Sequence, residues 1–175
     1  MHRREVLAGI GAAGLIGVAG TAHVVGVPFG SREGEAPAHD PVTVQGVAAT
    51  GSEATEFTIP DPDRPTFVDL FATTCTVCQA QMPELREASD ALPDVAFVSV
   101  TAELPRIVDD ESVAAWWDEY DGNWQVARDT SYDFVRHYSR ATPTAVLFDA
   151  DGLLHWEETG AKTADEIITQ VEAVQ

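Results

Sequence analysis

The chain has 175 residues, 29 acidic and 10 basic, for a formal net charge of −19. That length suits one domain with a sizeable core plus additional segments, and the charge excludes nucleic acid, whose phosphates would be repelled. With 45% apolar residues and clear periodic segments the chain is not a disordered polyanion. Its excess of acid and its single lysine, Lys162, are those of a halophilic-type acidic surface, hydrated and soluble where salt screens charge repulsion.

In chain order, residues 1–30 are a targeting or anchoring segment. Arg3 and Arg4 precede a stretch from Val6 to Gly30 without formal charge, in the manner of a twin-arginine export signal. The stretch is long enough to cross a bilayer if His23 is tolerated, and the positive-inside rule would then put the following domain outside the cytoplasm. An uncleaved anchor is the expectation. Cleavage at the weak small-residue site Gly20-Thr21-Ala22 would release the domain instead.

Residues 31–41 mix Gly, Glu, Pro, His and Asp without period and read as a flexible tether. The folded domain is expected over 42–175. Residues 42–44 and 55–59 alternate like two short strands of an N-terminal hairpin. After the turn-rich stretch 60–65, residues 66–71 form an apolar strand interrupted only by Asp69. At its end stand Cys75 and Cys78, the only cysteines in the chain, and then a helical pattern of Met82, Leu85, Ala88 and Leu92.

A strand that turns into a helix with Cys-x-x-Cys at the junction reads as a thioredoxin-like redox site. Unpaired N–H groups and the positive end of the dipole at a helix start stabilise a thiolate, which makes Cys75 the nucleophile. Cys78, one turn later, is placed to resolve a mixed disulfide, and Thr76 and Val77 between them tune the redox potential. Competing readings are weaker. Zinc needs four ligands, and His137 and His155 lack ligand spacing. A structural disulfide across so short a loop adds little stability. Two inert buried thiols do not suit a chain exported to an oxidising compartment.

Further along, residues 95–101 read as a buried strand and 109–120 as a helix capped by Asp109 or Asp110, with Val113, Trp116, Trp117 and Tyr120 on one face. A short strand is expected at 124–127 and a helix at 130–138. Strands at 144–148 and 153–156 flank an Asp149-Ala150-Asp151-Gly152 turn. Thr163 and Glu166 form a capping box that opens a last helix. Alternating strands and helices with a closing hairpin imply an α/β, three-layer fold with a mixed central sheet.

The segment from Val68 to Cys78, with Thr142-Pro143-Thr144 and the Asp-x-Asp-Gly hairpin, resembles the thioredoxin superfamily. The longer order of elements is most similar to its extracytoplasmic TlpA/ResA-like branch of thiol–disulfide oxidoreductases. The resemblance implies that the Thr142–Pro143 bond is cis, with Thr142 and Pro143 facing the cysteines and positioning a client polypeptide by strand-like pairing. It implies that Asp69, a buried acid, takes the proton of Cys78 during resolution. It further implies thiol or disulfide protein substrates such as apocytochrome c, a membrane thiol-electron donor, and no cofactor or metal beyond the Cys75–Cys78 pair. Two residues depart from the pattern and are expected to shift the redox chemistry: Thr74 where Trp is frequent, and Gln81 where many relatives carry an acid.

An alternative on the same fold is a copper-binding metallochaperone of the SCO type. Two thiolates suit Cu(I), but Ala141-Thr142-Pro143 offers no histidine before the strand at 144. A peroxiredoxin needs Thr three positions before its cysteine, where this chain has Ala72. A tethered binding module would function without Cys75. The four tryptophans read as packing residues rather than as a binding platform.

Overall fold

The computed structural model describes residues 40–175. The targeting segment 1–30 and the tether through residue 39 lie outside the described residues. Seven strands form one sheet in the order β2-β1-β5-β4-β3-β6-β7. They are β1 (Val42–Gly46), β2 (Glu56–Ile59), β3 (Thr66–Phe71), β4 (Ala96–Thr101), β5 (Gln125–Arg128), β6 (Thr144–Phe148) and β7 (Leu154–Thr159). The central strands β3, β4 and β5 run parallel. On one side β6 and β7 add antiparallel to β3, and on the other the β1–β2 hairpin adds antiparallel to β5. The expected hairpin and mixed sheet are both present.

Among the described residues four helices cover the sheet: α1 (Thr76–Ala91), α2 (Asp110–Glu119), α3 (Asp133–His137) and α4 (Ala164–Glu172). Strand alternation sorts the core into two layers. Phe67, Phe71, Phe97, Val126 and Leu147 pack with Met82 and Leu85 of α1, Val113 and Trp117 of α2, and Ile167 and Val171 of α4. Val68, Leu70, Val98, Val100, Val146 and Phe148 pack with Phe134 and Val135 of α3. The result is the three-layer, thioredoxin-like architecture expected from the element order. All six residues of β3 are buried, so Asp69, which shares a face with Phe67 and Phe71, lies in the interior beneath α1.

Local chemistry sets the boundaries. Asp109 caps α2 by accepting from Ser112 N at 2.9 Å, and Thr163 and Glu166 make both bonds of a capping box on α4. In the β6–β7 turn Gly152 takes φ 76°, while Asp149 accepts from the N–H groups of Asp151 and Leu153. Three elements differ from the sequence pattern. The expected helix at 130–138 is helical only over Asp133–His137, because Tyr132 sits in the left-handed region at φ 61°. The preceding residues instead form a turn, in which Ser131 donates to Asp129 and accepts from Asp133 N. β5 starts at Gln125, one residue later than expected, and β7 runs on to Thr159.

Candidate redox site

The C-terminal end of β3 delivers the chain to the site. Beyond Phe71, Cys75 N donates back to Ala72 O at 3.0 Å, closing a turn. Glu103, just past β4, holds this turn by accepting from Thr73 N at 2.8 Å and Thr73 Oγ1 at 3.0 Å. Gln79 Nε2 donates to Thr73 O from the other side. Cys75 is the N-cap of α1, and its Sγ accepts from Cys78 N at 3.1 Å. A sulfur in that position meets the unpaired N–H groups and the positive dipole end, the setting that favours a thiolate.

Cys75 and Cys78 are joined as a disulfide, with Cα atoms 5.2 Å apart. Cys75 is half-buried rather than fully exposed, whereas Cys78 is buried. The outer sulfur is thus the one a partner reaches first. Between them Thr76 and Val77 are exposed, as is Thr74 on the other side. Val77 is one of only two large apolar side chains left strongly exposed among the described residues.

The Thr142–Pro143 peptide is cis, and its loop lies against the disulfide. Cys75 Sγ stands 3.6 Å from Thr142 O, a contact rather than a hydrogen bond while the sulfur carries no proton. Gly160 N donates to Pro143 O at 2.9 Å, tying the loop to the end of β7. Thr142 also borders a cleft of about 440 Å3, lined by Leu70, Val100, Tyr132, Val135 and Arg140 among others. The cleft meets the cysteine site through Thr142, whose carbonyl oxygen faces Cys75, and neither cysteine lines it.

Asp69 is 2% exposed on the α1-facing side of β3. In register it pairs with Ser99 of β4 and Ala145 of β6. Ser99 Oγ donates to Asp69 Oδ2 and Gln81 Nε2 to Oδ1, each at 3.3 Å. Burial pushes the Asp69 carboxyl up to about 7, with the Ser99 hydrogen bond acting in the opposite direction. The group is thus tuned to exchange a proton near neutral pH.

The structure brings half-buried Cys75 against Thr142, with Cys78 and Pro143 buried behind them, and sets Asp69 of β3 against the buried Gln81 of α1. Gln81, read from sequence as a missing acid, is buried and bonded to Asp69. Sequence reasoning missed Ser99 and Glu103. A serine in the middle of the apolar run 95–101, matched to an aspartate in the middle of 66–71, was a usable signal for Ser99. None pointed to Glu103. Trp116, Trp117 and Trp124 are core residues and Trp156 packs at its edge. His155 bonds Asp149 at 2.7 Å, away from the cysteines. Among the described residues no three His, Cys, Asp or Glu side chains cluster as metal ligands.

A thioredoxin-like sheet with a Cys-x-x-Cys disulfide at a helix start defines a class of thiol–disulfide chemistry, and sequence comparison agrees. The Redoxin family model matches residues 36–174, and the chain belongs to that family. A curated relative, the chloroplastic thioredoxin Y2 of Arabidopsis thaliana, is 26% identical over 134 residues, which are 75% of this chain and 64% of that protein. The chain thus matches less than two thirds of the relative's length. Among solved structures, StoA from Bacillus subtilis is similar with a TM-score of 0.64 at 18% identity, over 77% of this chain and 98% of that one. A secreted Mycobacterium tuberculosis disulfide oxidoreductase homologous to E. coli DsbE is 23% identical with a TM-score of 0.58, over 71% and 93% of the two chains.

Proposed function

We propose that the protein is an extracytoplasmic thiol–disulfide oxidoreductase that reduces disulfides in client proteins. The observation that carries this reading is the Cys75–Cys78 disulfide at the N-terminus of α1, with the outer sulfur 3.6 Å from Thr142 O. In the reduced enzyme the Cys75 thiolate attacks one sulfur of a client disulfide, and the other client sulfur leaves as a thiolate. Asp69 takes the Cys78 proton, and the Cys78 thiolate attacks Cys75 Sγ. The second client sulfur then leaves, and Cys75–Cys78 becomes the disulfide seen here. Two electrons pass from the enzyme dithiol to the client.

Thr142 and Pro143 position the client next to the sulfur, and the cleft bordered by Thr142 accepts a side chain flanking its cysteine. Thr74, Thr76 and Val77 set the potential through the geometry and polarity of the helix start. A membrane thiol donor regenerates the dithiol, and extracytoplasmic proteins such as apocytochrome c are the clients. The Arg3-Arg4 segment supports export with retention at the membrane, and the acid-rich composition supports a salt-adapted host. These assignments follow from the family resemblance and the composition.

The test uses Cys75→Ser and Cys78→Ser with a disulfide-bonded protein client. Cys78→Ser accumulates a client adduct on Cys75 that thiol reagents release, and Cys75→Ser forms none. Undiminished turnover by Cys75→Ser would refute the redox reading. A Cys75–Cys78 potential well above the glutathione couple would reverse the proposed direction.

A further inference from the structure

Asp69 has two polar neighbours, and the direction of each bond is dictated from outside. A backbone N–H can only donate, so the Gln81 atom 3.1 Å from Lys162 N must be the carbonyl oxygen. The Gln81 NH2 group is then the end that faces Asp69 Oδ1. An indole N–H also only donates. Trp124 Nε1, 3.0 Å from Ser99 Oγ, therefore occupies a hydroxyl lone pair and leaves the Ser99 proton for Asp69 Oδ2. Each carboxyl oxygen meets a donor, an arrangement that fits the carboxylate.

The two sides differ in how firmly they are held. Ser99 can turn its proton aside and accept one from Asp69 on its second lone pair. Gln81 cannot change roles so easily. Turning its amide would leave the Lys162 N–H without a partner in the core, at a cost of about 1–3 kcal/mol. The groups bonded to Asp69 or in register with it are Gln81 on α1, Ser99 on β4 and the apolar Ala145 on β6, with Trp124 and Lys162 one bond further out and Cys78 one turn before Gln81 on α1. The Lys162 ammonium is engaged elsewhere, 2.9 Å from Gly160 O and 3.4 Å from Glu158. Glu84, one turn after Gln81, accepts from Ala164 N.

We propose that Gln81 is a positioning residue for proton handling, clamped by the Lys162 backbone N–H as an obligatory donor to Asp69 so that the buried carboxylate stays accessible at neutral pH. The amide serves there as a neutral donor. It opposes the desolvation of Asp69 without adding a charge, and it links the proton acceptor to the loop that enters α4. The consequence for resolution by Cys78 rests on the redox reading above, whereas the clamp is tested without turnover.

The test follows the Asp69 side-chain carboxyl by carbon NMR against pH in the oxidised protein, with Asp69→Asn identifying the resonance. Gln81→Met keeps the volume and removes the donor, and the Asp69 midpoint is expected to rise by about one pH unit, the size of a lost hydrogen bond to a charged group. Gln81→Glu keeps an acceptor for the Lys162 N–H and is the second variant should Gln81→Met not fold. It is expected to titrate with Asp69 in two coupled steps, the upper one above the wild-type midpoint. In either variant, the pH profile of mixed-disulfide resolution moves with the Asp69 midpoint. An unchanged or lowered Asp69 midpoint in Gln81→Met, or a single uncoupled step at the wild-type position in Gln81→Glu, overturns the clamp. Either result would leave Cys75-dependent turnover intact, whereas failure of the redox reading would abolish that dependence without altering the titration.

Discussion

The sulfur of Cys75 and the carbonyl oxygen of Thr142 lie 3.6 Å apart although 67 residues separate them in the chain. The cysteine comes from the start of α1, and the threonine from the loop that enters β6. Because β3 and β6 are antiparallel neighbours, with Leu70 in register with Thr144, the end of one strand and the start of the other fall at the same edge. A client strand laid along Thr142 would present its cysteine to Cys75.

Filling the cleft beside Thr142 should therefore impair client binding more than sulfur chemistry. Thr142→Trp is expected to raise KM for a disulfide-bonded protein by about tenfold, roughly 1.4 kcal/mol. Its rate with a small aromatic disulfide should change far less. Equal losses on both substrates would mean that the cleft does not hold the client.

The two cysteines of the reduced protein should react unequally. Cys75 is half-buried at the helix start and Cys78 is buried. At pH 7, limited iodoacetamide is expected to label Cys75 at least about tenfold faster than Cys78, as peptide mapping by mass spectrometry would show. Comparable labelling of both would remove the asymmetry on which attack and resolution depend.

Asp69 gives a stability prediction with a definite sign. Its carboxyl titrates near 3.8 in the unfolded chain and about 7 in the folded protein. Between those values the folded state holds a proton that the unfolded state has lost, so this group's contribution declines as pH rises from about 4 to 7. Asp69→Asn removes that penalty. In urea unfolding of the oxidised protein, the variant is expected to match wild type near pH 4 and to exceed it at pH 8 by up to about 4 kcal/mol. A variant less stable than wild type at pH 8 would contradict the burial cost.

Arg128 anchors the loop after β4. Its buried guanidinium bonds Glu103 O, Val108 O and, at 2.9 Å, the carboxylate of Asp110. Through Glu103 it also steadies Thr73 at the cysteine turn. Arg128→Met is expected to cost about 3 kcal/mol, seen as a lower urea midpoint at unchanged slope. A loss near zero would show that the loop holds without it.

Much of the site was legible because its signals are local. The cysteine spacing, the apolar run before it and the helical repeat after it all lie within residues 66–92. Strand–helix alternation was enough to imply a mixed sheet, and the capping residues Asp109 and Thr163 announced two helix starts. Where a turn overrode the pattern, as at Tyr132 with its left-handed backbone, the helix expected over 130–138 shrank to a single turn. Periodicity alone cannot register that competition, since Phe134, Val135 and Tyr138 keep the same spacing in either case.

By itself, then, the sequence determined where the cysteine pair stands, at the junction of β3 and α1, and which faces of the strands are apolar. The tertiary structure alone decided what Asp69 meets. Parallel pairing of β3 with β4 sets Ser99 beside it, α1 lays Gln81 over it, and the entry to α4 supplies the Lys162 N–H that fixes the Gln81 amide. Periodicity encodes the face a residue takes but not the element that covers it. The direction of a buried hydrogen bond depends on that covering element, because each donor there must find its acceptor without water.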